Sequence, residues 1–265
     1  MSCAPACKVG TLLVAHRNSS NLQPFLDRLN LRSRLLKEEQ EAVLNLPVYA
    51  AQVRPNEDHV ALGEMTDHAT FVVSGVLGRF DQNANGERQI TALHIAGDMA
   101  DLNSVVEPRA TSALQALSTT TILQVPHRPI REMTARYPAL AEAFWRDCMV
   151  DAAVLAQWVV NLGRRSAAAR IAHLLCETAT RCRQGDDKQA LRFDFPLTQA
   201  QLADATGLTS IHVNRTLKTL SGTVAVAQKS VDILDWDALA ARGDFNRTYL
   251  QADIRPSERL RIMAA

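Results

Sequence analysis

Polar side chains recur between Ser210 and Lys218 in a pattern that suits the exposed edges of DNA bases. At about 100° per residue, Ile211, Asn214, Arg215 and Lys218 fall on one face of a helix, with Ser210 at its flank. Arginine can donate two hydrogen bonds to O6 and N7 of guanine, and asparagine can pair with N6 and N7 of adenine. A lysine one turn further along suits a phosphate. The segment therefore predicts a helix that enters the major groove of DNA.

Two consecutive helix starts would position this face. Thr198 can cap one helix, with Gln201 reaching back to complete a capping box, and Thr209 can cap a second helix after a turn at Gly207. Val213, on the opposite side of the second helix, is predicted to pack inward. Two short helices joined by a glycine turn form a helix-turn-helix, whose second helix reads DNA. The alternative is an amphipathic hairpin whose polar side is only solvated.

The composition is that of an ordinary globular chain, with basic residues concentrated near these helices. The 265 residues are 47% hydrophobic and 22% charged, and the formal net charge is +1. Positions 161 to 230 hold ten Lys and Arg against five Asp and Glu, or +5, which leaves −4 for the rest of the chain. No apolar run is long enough to span a bilayer, and no signal-peptide pattern opens the chain. We therefore expect a cytoplasmic protein without a membrane partner, and a local field that attracts phosphate.

The remaining segments predict an α+β chain. Short β-branched runs from Val48 to Val125, separated by glycine turns, predict a roll of antiparallel strands. Pro138 opens a long helix, and two short runs after Gly222 predict a two-stranded wing. The predicted parts are a flexible leader over 1–22, the roll over 23–137, the long helix over 138–163, a winged helix-turn-helix over 164–252 and a mobile tail over 253–265.

Apolar residues of the long helix recur with spacings of three and four, which predicts pairing between two copies of the chain. The predicted dimer seam consists of Phe144, Cys148, Ala152, Leu155, Val159 and Leu162. Gly163 is expected to end it. The alternative is a helix that packs on the roll of its own chain.

The order of roll, long helix and winged helix-turn-helix resembles the Crp/Fnr superfamily of bacterial transcription regulators, from about Phe25 to Leu250. The motifs that carry the resemblance are Leu197–Leu220, the Arg170-Ile-Ala-His-Leu-Leu entry to the DNA-binding part, and Val73-Ser-Gly-Val with Gly97-Asp98 in the roll. The string His212-Val-Asn-Arg-Thr-Leu is similar to a branch found in alphaproteobacteria. The resemblance implies a cyclic-nucleotide-binding-like roll and a homodimer on a palindromic operator, and it allows RNA polymerase as a further partner.

The family's DNA-contacting positions carry over by motif. Its base-reading positions fall on Ser210, Ile211 and Arg215, and its phosphate-contacting positions fall on Thr198, Thr209, His212 and Lys218. Gln199, Asn214 and Lys229 complete the set that we expect to contact double-stranded DNA. Members that bind cAMP have an arginine and a glutamate where this chain has Ser210 and Ile211. The docking mode is therefore expected to carry over, whereas the operator sequence is not.

The family's cyclic-nucleotide pocket needs a Gly-Glu pair for the ribose, an Arg-Ser pair for the phosphate, and hydroxyls on the long helix for the purine. In this chain Asp101 is the stand-in for the glutamate, and Arg109, followed by Thr111, is one place off register. The long helix has Leu155, which carries no hydroxyl. These four residues are weak ligand candidates, and we do not expect cAMP to bind.

Two other sensor chemistries are not expected either. An oxygen-sensing iron–sulfur cluster needs four thiolates, and the N-terminal segment offers Cys3 and Cys7 alone. Haem needs axial ligands; the predicted roll has His59, His68 and His94, but histidines there more often form ordinary hydrogen bonds. The effector therefore stays unknown.

Two further classes of function remain as alternatives. A cupin-like metalloenzyme needs two histidines separated by one residue, a pattern that the chain lacks, so neither a metal site nor a catalytic residue is predicted. A dimeric redox switch acting through Cys148 across the seam is compatible with a DNA-binding regulator.

Overall fold

The computed structural model of the chain describes residues 21–182, 192–227 and 229–261. The helices are α1 (Gln23–Asn30), α2 (Lys37–Leu44), α3 (His127–Arg136), α4 (Pro138–Arg164), α5 (Ala167–Cys182), α6 (Gln199–Thr206), α7 (Ser210–Thr219) and α8 (Trp236–Gly243). The strands are β1 (Tyr49–Val53), β2 (Asp58–Val60), β3 (His68–Ser74), β4 (Leu77–Gln82), β5 (Arg88–His94), β6 (Ala113–Ala116), β7 (Thr120–Pro126), β8 (Arg192–Asp194), β9 (Val224–Ala227) and β10 (Ser230–Ile233). Short 3₁₀ helices lie at Leu102–Val105, Arg247–Leu250 and Pro256–Glu258. Most of the predicted leader, with Cys3 and Cys7, and positions 262–265 of the predicted tail lie outside the described residues.

The N-terminal part is an antiparallel roll, as predicted. One sheet has the strand order β1–β7–β3 and the other has the order β2–β6–β4–β5. Val72 and Ile122 of the first sheet and Leu77 and Leu114 of the second are buried in one apolar cluster, the interior core of the roll. Gly75 turns the chain between β3 and β4 with a φ of 84°, a conformation suited to glycine.

A second apolar cluster covers the other face of the β1–β7–β3 sheet. Phe25 of α1 contacts Phe71 of β3 and Phe144 of α4, with ring centroids 6.4 and 5.6 Å apart. Leu22 is buried in the same cluster, although the sequence places it at the end of a flexible leader. Packing against the roll therefore begins before residue 23.

The long helix α4 connects the roll to the DNA-binding part. It runs from Pro138 through Gly163 to Arg164. Phe144, Val150 and Trp158 lie on its buried side. Among the described residues, no helix is both long enough and apolar enough to cross a membrane.

The C-terminal part is a winged helix-turn-helix built from α5 to α8 and a small sheet. That sheet has three strands in the order β8–β10–β9, so β8 joins the two strands predicted for the wing. Val231 of the central strand pairs with Phe193 on one side and with Val226 on the other.

The DNA-binding part and the roll share one apolar core. Leu93 and Leu117 of the roll belong to the same buried cluster as Leu174 of α5 and Leu202 of α6. The Gln201 side-chain amide also donates a hydrogen bond to the Leu117 carbonyl at 2.9 Å. The first helix of the helix-turn-helix is thus packed directly on the sensor-like roll.

The end of the chain returns to the N-terminal helices. The Leu260 amide donates to the Arg32 carbonyl at 3.0 Å, and Arg34 donates to the Leu260 carbonyl at the same distance. Arg261 forms two hydrogen bonds with the Glu39 carboxylate, at 2.7 and 2.8 Å. These long-range contacts join Leu260 and Arg261, in the predicted mobile tail, to the segment after α1 and to Glu39 of α2.

Candidate nucleic-acid interface

The first helix of the pair, α6, begins at a reciprocal cap. Thr198 Oγ1 accepts a hydrogen bond from the Gln201 amide at 3.1 Å, and Gln201 Oε1 accepts one from the Thr198 amide at 2.8 Å. The helix ends at Gly207, whose φ of 62° is left-handed and suits a residue without a side chain. The capping box and the glycine turn that the sequence predicts are both present.

The second helix, α7, is anchored on one side and open on the other. Thr209 Oγ1 accepts a hydrogen bond from the His212 amide at 3.2 Å, which caps the helix. Val213 and Thr216 are buried and hold the helix on the domain. Ile211, on the opposite face, is 69% exposed. The helix therefore presents the face that the sequence assigns to DNA.

The predicted DNA-contacting residues lie mostly at the surface. Thr198, Gln199, Thr209, Ser210, Ile211, His212, Arg215, Lys218 and Lys229 are exposed, and Asn214 is half-buried. Within the described ranges, none of the three cationic residues Arg215, Lys218 and Lys229 forms an ion pair. Their charges are thus available to a polyanion.

A shallow groove separates α7 from the wing strand β9. It has a volume of about 350 Å³ and is lined by Asn214, Lys218 and Val226, among others. The side-chain amide of Asn214 donates to Gln199 Oε1 at 3.4 Å, so the start of α6 meets the middle of α7 at the edge of the groove. Lys229, in the turn of the wing, has a left-handed φ of 70°. The groove joins the two helices and the wing into one surface.

The four weak ligand candidates do not form one site. Asp101 is buried and accepts a hydrogen bond from the Thr70 amide at 2.6 Å, while burial raises the pKa of its carboxyl group. Arg109 is exposed and donates to the Gly63 carbonyl at 3.0 Å, and Thr111 is exposed as well. Leu155 lies on the exposed side of α4. The side chains that stand at the family's cyclic-nucleotide positions are therefore either bonded within the chain or exposed to solvent.

One arginine that the sequence analysis did not select does reach the inner part of the roll. Arg79 donates from Nη1 to Ser112 Oγ at 3.1 Å and from Nη2 to the Ala100 carbonyl at 3.0 Å. A signal for it exists in the sequence, because Arg79 stands two residues after the apolar Leu77 on a strand and hence on the same face.

The predicted dimer seam is partly displaced around the helix axis. Phe144 is buried against Phe25 of its own chain, and Cys148 packs on the same cluster, so neither belongs to an outward seam. Trp145 and Met149 are 67% and 65% exposed in their place. Further along α4, Ala152, Leu155 and Val159 are exposed, and Leu162 is half-buried. The exposed apolar stripe therefore consists of Trp145, Met149, Ala152, Leu155 and Val159.

Cys148 is poorly suited to redox chemistry. Burial, together with the neighbouring Asp147 and Asp151, raises the pKa of the thiol to about 12. Because the thiolate is the reactive form, such a thiol is a weak nucleophile. The redox alternative has no support at this position.

The roll histidines are engaged in ordinary hydrogen bonds or buried. His59 Nε2 shares a hydrogen bond with Thr70 Oγ1 at 2.9 Å, and His68 Nδ1 shares one with Asp67 at 2.8 Å. Burial lowers the pKa of His94 to about 3, and the cation of Arg79 acts in the same direction. Over the described ranges, no group of three or more His, Cys, Asp or Glu side chains is arranged to hold a metal ion.

Comparison with known proteins identifies both parts of the chain. Residues 51–137 match the family described as cyclic nucleotide-binding domain, and residues 169–242 match the Crp-like helix-turn-helix domain. The transcriptional activator protein FnrL of Cereibacter sphaeroides is 26% identical over 72% of this chain and 78% of its own. The transcriptional activator protein anr of Pseudomonas aeruginosa is 25% identical over 90% of this chain and 96% of its own.

Solved structures share the fold. FixK2 from Bradyrhizobium japonicum superposes with a TM-score of 0.62 at 19% identity, over 73% of this chain and 96% of that one. The c-di-GMP responsive global regulator CLP of Xanthomonas campestris gives a TM-score of 0.53 at 12% identity, over 80% of this chain and 98% of that one. At these identities the likeness concerns the fold alone.

The fold and the exposed helix define a winged helix-turn-helix regulator with an N-terminal sensor-like roll. The two matched regions together cover more than half of the sequence, in the order that this architecture requires. The chain belongs to the Crp/Fnr superfamily of transcription regulators, and it is a DNA-binding regulator rather than an enzyme.

Proposed function

We propose that the chain binds a palindromic operator as a homodimer, with α7 of each protomer in one of two successive major grooves. The observation that carries the proposal is the state of α7, which buries Val213 and Thr216 and leaves the opposite side open. A rigidly held helix with a free polar face can enter the groove without local rearrangement. The two-fold symmetry of the dimer would then be matched by the symmetry of the operator.

Within this proposal the side chains divide into readers and anchors. Arg215 reads a guanine through two hydrogen bonds, and Asn214 reads an adjacent adenine, with Ser210 and Ile211 facing neighbouring bases. The anchors contact phosphates and fix the helix in the groove. They are Thr198, Gln199, Thr209, His212, Lys218 and Lys229.

The second copy of the chain would cover the apolar stripe of α4. Trp145 and Met149 are large, apolar and mostly exposed, and they continue into Leu155 and Val159 along one side of the helix. Side chains of this kind are stabilised by burial at about 25 cal/mol per Å² of apolar surface. Pairing of two α4 helices would bury the stripe and set the distance between the two reading helices.

The proposal is tested by selecting bound duplexes from a random pool with the purified full chain. We expect an enriched site with two inverted halves whose centres are about 34 Å apart, one turn of DNA. Sedimentation at the same protein concentration should give a dimer, and Met149→Glu should give a monomer that binds the site weakly. An enriched site without inverted symmetry would contradict the dimer arrangement.

Two variants of the protein distinguish base reading from phosphate contact at the selected site. Arg215→Ala should weaken binding to the selected site by about 1–3 kcal/mol and relax the preference at one position of each half. Lys218→Ala should weaken binding to all duplexes alike. It should also reduce the slope of log K against log salt concentration by about one. Lys37→Ala removes an exposed cation on α2 and serves as the control. Equal loss on every sequence for Arg215→Ala would argue against base reading.

A further inference from the structure

Arg79 lies on the face of β4 that points into the roll. Leu77, two residues earlier on the strand, belongs to the interior core. Across the sheet Arg79 pairs with Leu114 of β6, which belongs to the same core. Because paired residues of neighbouring strands share a face, the arginine stem starts among apolar interior side chains.

The guanidinium group of Arg79 holds both ends of one segment. One nitrogen donates to the Ala100 carbonyl at 3.0 Å and the other donates to Ser112 Oγ at 3.1 Å. Ala100 directly precedes residues 101–111, and Ser112 directly follows them. A single side chain therefore closes this segment against β4.

The rest of the segment is also held by the chain itself. Asp101 accepts from the Thr70 amide at 2.6 Å, and Ser104 Oγ shares a hydrogen bond with His127 at 2.8 Å. The Val105 carbonyl accepts from Arg131 at 2.9 Å, and the Ala110 amide donates to the Glu64 carbonyl at 2.8 Å. The polar groups that a ligand would engage thus already have partners.

The residues present do not fit the cyclic nucleotide that the matched family name implies. A cyclic phosphate needs a cation that is free to approach it, and Arg109 is directed outward to the Gly63 carbonyl. His94 is buried and neutral, because burial and Arg79 both lower its pKa. Burial raises the pKa of the Asp101 carboxyl group, and the nearby cation of Arg79 acts in the opposite direction. An anion would have to displace these contacts.

We propose that Arg79 takes the place of a small-molecule effector. Its guanidinium group holds residues 101–111 closed, and the chain therefore binds its operator without a ligand. This inference rests on the proposed function, since it uses operator binding as its measure. Arg79 acts as a positioning residue, because it acts through the segment and not on DNA. Arginine suits this role since its planar fork can serve two acceptors at once.

The test compares operator affinity of the full chain, freed of small molecules by unfolding, dialysis and refolding, with that of two variants. The wild type should bind the selected operator with no addition. Arg79→Ala should bind about tenfold more weakly, because two hydrogen bonds from a charged group are lost from the closed state. Arg128→Ala, which removes an exposed guanidinium of α3 that pairs with Glu132 at 2.7 Å, should keep its affinity within about twofold.

Two measurements separate a positioning role from simple loss of stability. Guanidinium ion at millimolar concentration should restore operator binding to Arg79→Ala, whereas sodium chloride at equal ionic strength should not. Hydrogen exchange of the amides between 101 and 111 should be faster in Arg79→Ala and intermediate in Arg79→Lys, since a lysine cannot bridge two acceptors in the same geometry. Both variants are to be compared with the wild type by circular dichroism.

The outcomes are distinct. A wild type that binds the operator only after addition of a cell extract or a cyclic nucleotide overturns the inference and leaves the proposed function in place. Unchanged affinity of Arg79→Ala, or an equal loss in Arg128→Ala, also overturns it. A wild type that binds no duplex under any condition refutes the proposed function together with this inference.

Discussion

The substitution Asp98→Asn tests the buried ion network that joins the roll to the DNA-binding part. Asp98 follows β5 and is 2% exposed. Its carboxylate accepts hydrogen bonds from Arg28 of α1, from Arg181 of α5 at 2.6 Å, and from the Ile95 amide at 2.8 Å. Burial works against the charged form, but Arg181 and Arg28 outweigh it and hold the pKa of Asp98 below its usual value. Asparagine keeps the volume of the side chain and removes its charge.

The expected loss is about 3 kcal/mol, the lower end of the range for breaking a buried ion pair. The lower end applies because three other carboxylates, Asp147, Asp151 and Glu177, remain beside the two guanidinium groups. For a chain of this length the loss corresponds to a fall in Tm on the order of 10 °C. The difference in the free energy of unfolding between Asp98→Asn and the wild type should become smaller only below about pH 4. A carboxyl group whose pKa is lowered by folding contributes stability that is lost as the pH falls through that pKa.

Urea unfolding followed by tryptophan fluorescence is the assay. Trp158 is buried, and its indole N–H donates to both oxygens of Glu177 at 3.2 Å, so its emission reports directly on this network. Protein concentration is kept equal in all samples, because association stabilises the folded state. The free energy of unfolding follows from the midpoint and slope.

Asp151→Asn is the matched control. Asp151 also contacts Arg28, at 2.9 Å, but its side chain is 38% exposed. Solvent screens such a pair, so its loss should cost no more than about 1 kcal/mol. If Asp98→Asn were as stable as the wild type, or if the two variants lost the same free energy of unfolding, the burial of Asp98 would not explain its contribution to stability.

Three further outcomes are expected. Gly243→Ala should destabilise the chain by about 1–3 kcal/mol in the same unfolding assay, because the new Cβ would lie 2.7 Å from the backbone nitrogen of His173. Gly222→Ala is the control, since Gly222 has open space around it, and its stability should stay close to that of the wild type. Thr209→Ala should cost about 1 kcal/mol through loss of the cap of α7 and should also weaken operator binding in an anisotropy titration. Because burial lowers the pKa of His94 to about 3, the unfolded chain takes up a proton first, and stability is lost as the pH falls below about 6.5. His94→Leu should therefore reduce the slope of the free energy of unfolding against pH by about 1.4 kcal/mol per pH unit below about pH 6.5, measured from urea titrations at several pH values.

The helix-turn-helix could be predicted because its determinants are local. The cap at Thr198 and its partner Gln201 are three residues apart, and the glycine turn needs only the backbone freedom of Gly207. The roll and the long helix followed in the same way from periodicity and turn residues. Short elements escaped prediction, since β2 has three residues and α3 follows directly on β7.

Features set by tertiary contacts could not be predicted from local patterns. Phe144 and Trp145 are both large and apolar, and α4 faces inward with Phe144 because Phe25 of a distant helix packs against it. The final segment is predicted to be mobile because no local pattern shows that Arg261 pairs with Glu39, more than two hundred residues earlier in the chain. The alternation of β4 places Arg79 on the inner face, but its two acceptors could not be predicted, since they lie far along the chain from β4.

One acceptor of Arg79 and one acceptor of Arg181 lie on one short stretch of chain. Ala100, whose carbonyl accepts from Arg79, is two residues from Asp98, whose carboxylate accepts from Arg181. Arg181 belongs to α5, which packs against the reading helix α7. Because the interior is close-packed, we expect a displacement of Ala100 to affect Asp98 and its bonds to Arg181. The two substitutions should then not act independently on operator binding, and Arg79→Ala combined with Asp98→Asn should lose less affinity than the sum of the two single losses.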